Sequence, residues 1–152
     1  MFAARPANEA DVPSILTMME DFNAIEAIPF DRETFAPRVR ELLGSPGVGG
    51  IVVFTVDGAP AGYAIVTWGW DLEWGGRDSF LTEIYVAGAY RRQGIGRQGL
   101  AAAQAFARAG GAHALHLAVR HDNAPARALY DAEGFRAQPR LIMTKLLQDP
   151  EA

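Results

Sequence analysis

Apolar positions recur along this chain with two different periods, and the changes of period mark out its elements. Val12, Ile15, Leu16, Met19 and Phe22 follow at helical spacing, which predicts an amphipathic helix over about residues 9–23. Asn8 stands at its N-cap with Asp11 three residues on, in capping-box position, and Ala3 to Arg5 reads as a short strand before it. Asp31 is placed to cap a second helix whose inner face is Phe35, Val39, Leu42 and Leu43. Gly44 is expected to end that helix as a left-handed residue, and Pro37 to weaken its first turns.

The period then shortens. Ile51 to Val56 is β-branched and aromatic, Asp57-Gly58 is a hairpin turn, and Gly62 to Trp68 is the return strand. A polar loop, GWDLEWGGRD, leads to a strand from Phe80 to Val86. The Gly-rich RRQGIGRQG follows, then an Ala-rich helix closing at Gly110-Gly111. Ala114 to Val119 is a strand, Asn123 to Glu133 a helix ending at Gly134, and Leu141 to Leu146 a last strand. Helices, a meander and a β-α-β-α-β finish imply a mixed α/β protein with a partly parallel centre. No repeat, low-complexity linker or second domain interrupts it, so one domain over residues 1–152 is expected.

Composition removes several classes of function. The chain holds no cysteine, which excludes a Cys nucleophile, thiolate metal sites and disulfide scaffolds. His113 and His116 lack ligand companions in sequence, so no metal site is expected. A pI near 5.3 and the lack of a basic stripe interleaved with aromatics argue against nucleic acid. MFAARPANEA lacks the apolar stretch of a signal peptide and no run approaches a membrane span, so a cytoplasmic protein without membrane contact is expected. The net charge of −4 is split unevenly. Residues 1–86 hold 13 acids and 5 bases, and residues 87–152 hold 5 acids and 9 bases. Halves of opposite sign suggest partners of opposite sign.

Gly94, Gly96 and Gly99 fit G-x-G-x-x-G, the dinucleotide-binding fingerprint, with Asp122 in place of the ribose-binding acid. In that fingerprint the first glycine ends the strand directly, whereas here Ala87 to Gln93 intervene. A second reading takes Arg91-Arg92-Gln93-Gly94-Ile95-Gly96 as R-x-x-G-x-G between a strand and a helix. Backbone N–H groups turned to one point, and the positive end of a helix dipole, make a pyrophosphate cradle that arginines can reach from the rim.

These residues resemble the GNAT-type N-acetyltransferases. Three pieces carry the resemblance: TEIYV before the loop, RRQGIG as the loop, and HDNAPARALYDAEGF after it. The family pattern N-x-x-A-x-x-L-Y-x-x-x-G-F is matched in full by Asn123, Ala126, Leu129, Tyr130, Gly134 and Phe135. Gly99 departs from it, standing where the family usually has a bulky apolar residue. The fold implied is a single-domain GNAT-like one, a mixed, mostly antiparallel sheet flanked by helices with a splayed parallel strand pair at the centre. The activity implied is transfer of an acetyl group from acetyl-CoA to an amine of a small molecule or peptide. A catalytically silent acyl-CoA-binding module and a dinucleotide binder are the competing readings.

The resemblance also assigns roles. The main chain of Ile84, Tyr85 and Val86 would pair with the pantetheine arm. Gly94, Ile95, Gly96 and Arg97 would hold the pyrophosphate through backbone N–H groups, with Arg91, Arg92 and Gln93 in the same loop, and Asn123 would bond the pantetheine region. An N–H near Val86 would stabilise the developing oxyanion. Tyr130 would protonate the leaving thiolate; its other reading is a core tyrosine. Glu83 is the candidate base for the acceptor ammonium, whose ordinary pKa is about 10, and its other reading is a solvent-facing strand residue. Trp70, Asp71, Glu73 and Trp74 offer aromatic faces and carboxylates to a cationic acceptor. A homodimer is compatible with the resemblance.

Overall fold

The computed structural model describes residues 1–148. They fall into two compact units, Met1–Ala118 and the stretch from Val119 onward. The first unit is built on a five-stranded sheet in the order β1-β2-β3-β4-β5, comprising β1 (Phe2–Pro6), β2 (Gly49–Val56), β3 (Ala59–Asp71), β4 (Gly76–Val86) and β5 (Leu115–Leu117). The first three pairings are antiparallel, and β4–β5 is the expected parallel pair. The fold is the mixed α/β class that the sequence pattern predicts.

Alternation along β2 and β3 divides the core between two faces. Ile51, Val53, Tyr63 and Ile65 point to one face, where they pack with Val12, Ile15, Leu16 and Met19 of α1 (Val12–Ile25) and Val39 of α2 (Arg32–Leu43). Phe54 lies on the other face against α3 (Ile95–Ala109), with Leu100 and Ala103 fully buried. Each such apolar side chain contributes roughly 1.5–3 kcal/mol on burial. Asp57 and Gly58 both have positive φ, as a two-residue hairpin turn between β2 and β3 requires.

Several boundaries differ from expectation. The Asn8–Asp11 capping box forms, but it caps a 3-10 turn over Glu9–Asp11, and α1 starts at Val12. Gly44 is not left-handed (φ −85°); α2 closes through Gly44 N–H to the Arg40 carbonyl instead. Pro37 is accommodated inside α2. Much of the expected 69–78 loop is strand, because the β3–β4 ladder continues to Asp71 opposite Gly76. Likewise α3 begins at Ile95, inside the glycine motif.

The second unit holds α4 (Ala124–Ala132), capped by Asn123. The strand expected over Leu141–Leu146 does not form. Those residues take no part in a sheet ladder, and Leu141, Ile142, Met143 and Leu146 are exposed. A short apolar run becomes a strand only when a partner edge satisfies its peptide groups.

Candidate active site

The parallel pair is short. It joins Ser79, Phe80 and Leu81 to Leu115, His116 and Leu117, and stops there. At the same point β4 carries a bulge, since Val66 pairs with Leu81 while Ile65 pairs with Glu83, leaving Thr82 extra. A bulge bends its strand and increases the local twist. Beyond it, Ala87 N–H donates to the Ala61 carbonyl at 2.8 Å. Antiparallel alternation then turns the peptide groups of Tyr85 toward β3, and those of Ile84 and Val86 toward the edge that β5 has left. The main-chain groups directed at that edge are therefore those of Ile84 and Val86.

The chain next makes a 3-10 turn at Gly88–Tyr90 and two left-handed residues, Arg92 (φ 62°) and Gly94 (φ 77°), before α3. Gly94 meets that conformation without a Cβ penalty. The helical ladder begins with Gln98 N–H donating to the Gly94 carbonyl at 3.1 Å, and no side chain caps the helix. The N–H groups of its first turn therefore lie outside the ladder. No acidic residue stands in that turn, so the positive dipole end is not offset there.

Arg91 is turned toward the end of β4. Its Nε donates to the Val86 carbonyl at 2.9 Å, its guanidinium lies 5.6 Å over the Tyr85 ring, and Nη2 is 3.8 Å from Asp21 Oδ2. The short linker from β4 to the 3-10 turn pulls this side chain back onto the strand end. Gln93 is likewise used locally, Nε2 donating to the Ala89 carbonyl at 3.2 Å. Arg92 and Arg97 are exposed.

Glu83, Tyr63 and Tyr85 share the face that packs on α1. Tyr63 is fully buried and donates its hydroxyl to Glu83 Oε1 at 2.8 Å. Burial raises the Glu83 carboxyl above its ordinary range, and the Tyr63 hydrogen bond opposes that only in part. Burial also raises the Tyr63 phenol, with Glu83 adding to the effect. Tyr85 donates to Asp21 of α1, and its phenol is pushed up to about 12, first by burial and then by that bond.

A splayed strand pair, a bulge on the longer strand, and a glycine-started helix aimed from its end are all in the first unit. The sequence profile described as the acetyltransferase (GNAT) family matches residues 15–135. The chain belongs to that family. No curated protein matches it significantly by sequence. Solved structures share its fold. An integron cassette protein, HFX_CASS3, from the mobile metagenome of Cole Harbour Salt Marsh is 24% identical, with 97% of this chain and 91% of that one covered and a TM-score of 0.85. The aminoglycoside N-acetyltransferase AAC(6')-Iy, solved in complex with CoA, is 18% identical, with 97% and 96% covered and a TM-score of 0.82. The aminoglycoside acetyltransferase meta-AAC0020 from an uncultured soil metagenomic sample, solved with sisomicin, is 14% identical, with 97% of each chain covered and a TM-score of 0.76.

GNAT enzymes use acetyl-CoA, and the residues here fit such a donor. The open peptide groups of Ile84 and the N–H of Val86, whose carbonyl Arg91 already occupies, suit an amide-bearing arm, and the uncapped, acid-free first turn of α3 suits a pyrophosphate. Gly99, the departure from the GNAT pattern, is explained by packing. A Cβ there would come within 2.5 Å of the buried Phe54 ring. The third glycine of G-x-G-x-x-G thus seats a helix on the sheet, and β4 ends eight positions before Gly94, which is not the dinucleotide arrangement.

Of the remaining predicted residues, Asn123 uses its side-chain oxygen to accept from Ala126 N–H at 3.2 Å as the α4 cap. Tyr130 lies on α4 with its ring edge-on to Phe135 at 5.8 Å. The tryptophans do not form one cage. Trp68 stacks on Phe106 at 5.5 Å, Trp70 is 75% exposed, and Trp74 packs edge-to-face on His116 at 5.3 Å. Asp71 caps the 3-10 turn Leu72–Trp74 by accepting Glu73 N–H at 2.9 Å. Among the described residues no three His, Asp or Glu side chains gather as a metal site, and no helix is long and apolar enough to cross a membrane.

Proposed function

We propose that this protein transfers an acetyl group from acetyl-CoA to the amine of a small molecule or peptide in one ternary complex. The observation that carries the reading is the stretch of β4 past Leu81, unpaired toward β5 and leading into the uncapped start of α3. Acetyl-CoA supplies the thioester-activated acetyl group. Ile84 and Val86 hold its arm through main-chain groups, Gly94, Ile95, Gly96 and Arg97 hold its pyrophosphate through N–H groups, and Arg92 approaches from the rim. Arg91 keeps the strand end in place for both, and Asn123 bonds the arm.

A primary ammonium must lose a proton before it can attack. Glu83 takes that proton, and the raised affinity for protons that burial gives it suits a base working near neutral pH. Tyr130 gives a proton from its hydroxyl to the departing sulfur. With no cysteine in the chain a Cys-linked acyl-enzyme is excluded, which agrees with direct passage of the acetyl group to the amine.

The test is release of CoA from acetyl-CoA across a panel of primary amines, paired with thermal shifts. Acetyl-CoA at a hundred times its Kd should stabilise the fold by about 2.7 kcal/mol while NADPH leaves it unmoved. Stabilisation by NADPH instead would sink the reading.

A further inference from the structure

A second cluster lies on the same sheet as Glu83 but nearer the β4 start. His116 of β5 and Asp78 of β4 form an ion pair or hydrogen bond, with Nε2 3.0 Å from Asp78 Oδ2. They border a cavity of about 140 Å³ that Thr67 and Phe80 also line. Asp78 is buried, and no Arg or Lys pairs with it among the described residues. A carboxylate only accepts, so Nε2 carries the proton of this contact. The opposite position on β3 is Gly69, where a Cβ would stand 2.5 Å from Asp78 Oδ1. Glycine is what lets the carboxylate lie over the strand. Trp74 closes on the His116 ring from the 3-10 turn.

The bulge decides which way this cavity faces. On β3, residues 65, 67 and 69 share one face, and their partners are Glu83, Phe80 and Asp78. The extra residue, Thr82, brings odd-numbered Glu83 onto the face of even-numbered Phe80 and Asp78. Measured along β3 at about 3.3 Å per residue, Glu83, opposite Ile65, lies roughly 7 Å from the Phe80–His116 level and roughly 13 Å from the Asp78 level, opposite Gly69.

We propose that the Asp78–His116 cavity, lined also by Thr67 and Phe80, holds a second cationic group of the acceptor, so that the acceptor is a dicationic amine with its two nitrogens roughly 10 Å apart. This deepens the acetyl-transfer reading and rests on it. A buried carboxylate that no Arg or Lys reaches is stabilised by an ammonium that does.

The probes are 1,8-diaminooctane and n-octylamine, titrated by calorimetry into the full chain saturated with CoA, and both assayed for CoA release with acetyl-CoA. The wild type should bind the diamine about tenfold tighter, the scale of one hydrogen bond to a charged group. Asp78→Asn should bring the diamine close to the monoamine in Kd and KM, with a smaller effect on kcat. Thr67→Leu, which fills the cavity from a half-buried lining position, should narrow the gap in the same direction and guards against misfolding of the first variant. Equal binding of the two amines by the wild type, or selectivity kept in Asp78→Asn, overturns the inference. Equal acetylation of both amines would leave acetyl transfer standing and remove the cavity's role. Asp78-dependent diamine binding without CoA release would support the cavity and remove the transfer reading.

Discussion

Tyr63 donates its hydroxyl to Glu83 at 2.8 Å along the face of the sheet that α1 covers, so the candidate base is held by a side chain that is itself fully buried. The two lie one diagonal step apart, Tyr63 opposite Tyr85 and Glu83 opposite Ile65. The Glu83 carboxylate is therefore fixed in direction while burial penalises its charge.

That penalty predicts an opposed effect on stability and activity. A carboxyl whose folded-state pKa is raised binds more protons in the native state than in the unfolded one, so its effect on stability becomes unfavourable as pH rises through the interval between the two values. Glu83→Gln keeps an acceptor for Tyr63 and removes the charge. It should raise Tm at pH 7 by about 1–3 °C, and the gain should vanish in the range below the ordinary glutamate pKa. Turnover should fall by about a hundredfold, with the KM for acetyl-CoA little changed. Unfolding curves at several pH values and steady-state kinetics check the two halves separately.

Tyr130→Phe should lower kcat by about a hundredfold and leave acetyl-CoA affinity within about twofold, because a proton donor acts on the departing sulfur and not on binding. Unchanged turnover with the wild-type Tm would return Tyr130 to a packing role beside Phe135.

The neighbouring arginines should separate. Arg91 is tied to Val86, Tyr85 and Asp21, so Arg91→Ala should destabilise the protein by about 1 kcal/mol and weaken acetyl-CoA as a consequence. Arg92 is exposed, so Arg92→Ala should leave Tm unchanged and raise the KM for acetyl-CoA by about threefold to tenfold, more at low salt than at high. Equal loss of stability in both variants would contradict this division.

Sequence and structure agree best where a local rule settles the matter. The Asn8 box, the Asp57-Gly58 turn and the helical face of α1 each need only a few adjacent residues, and each forms. The glycine loop was legible for the same reason, because Gly94 and the start of α3 are neighbours in sequence. Arg91 was not, since its partner Asp21 is 70 positions away and is brought to it only by α1 packing. Nor was Asp78–His116, which depends on a parallel register and on a bulge at Thr82 that no composition signals. The 141–146 pattern errs in the other direction. Its short apolar run reads as a strand, but such a run says nothing of whether an edge is available.

Gly99 offers a test in which helix propensity and packing oppose each other. In an exposed helix interior, alanine is favoured over glycine by about 1 kcal/mol. Here the added methyl would meet Phe54 Cε2 at 2.5 Å, and Phe54 is fully buried with its ring packed between α3 and the sheet. The ring cannot move away without disturbing both layers, and overpacking of this kind costs about 1–3 kcal/mol. Gly99→Ala should therefore lower Tm despite its propensity, and Gly99→Leu, the kind of residue the GNAT pattern usually has there, should lower it further. Phe54→Leu combined with Gly99→Ala should recover part of the loss, because the shorter side chain vacates the position the methyl needs. Denaturant unfolding of the two single variants and the double variant measures that coupling directly, and a double variant no more stable than the additive sum would place the strain elsewhere than at this contact.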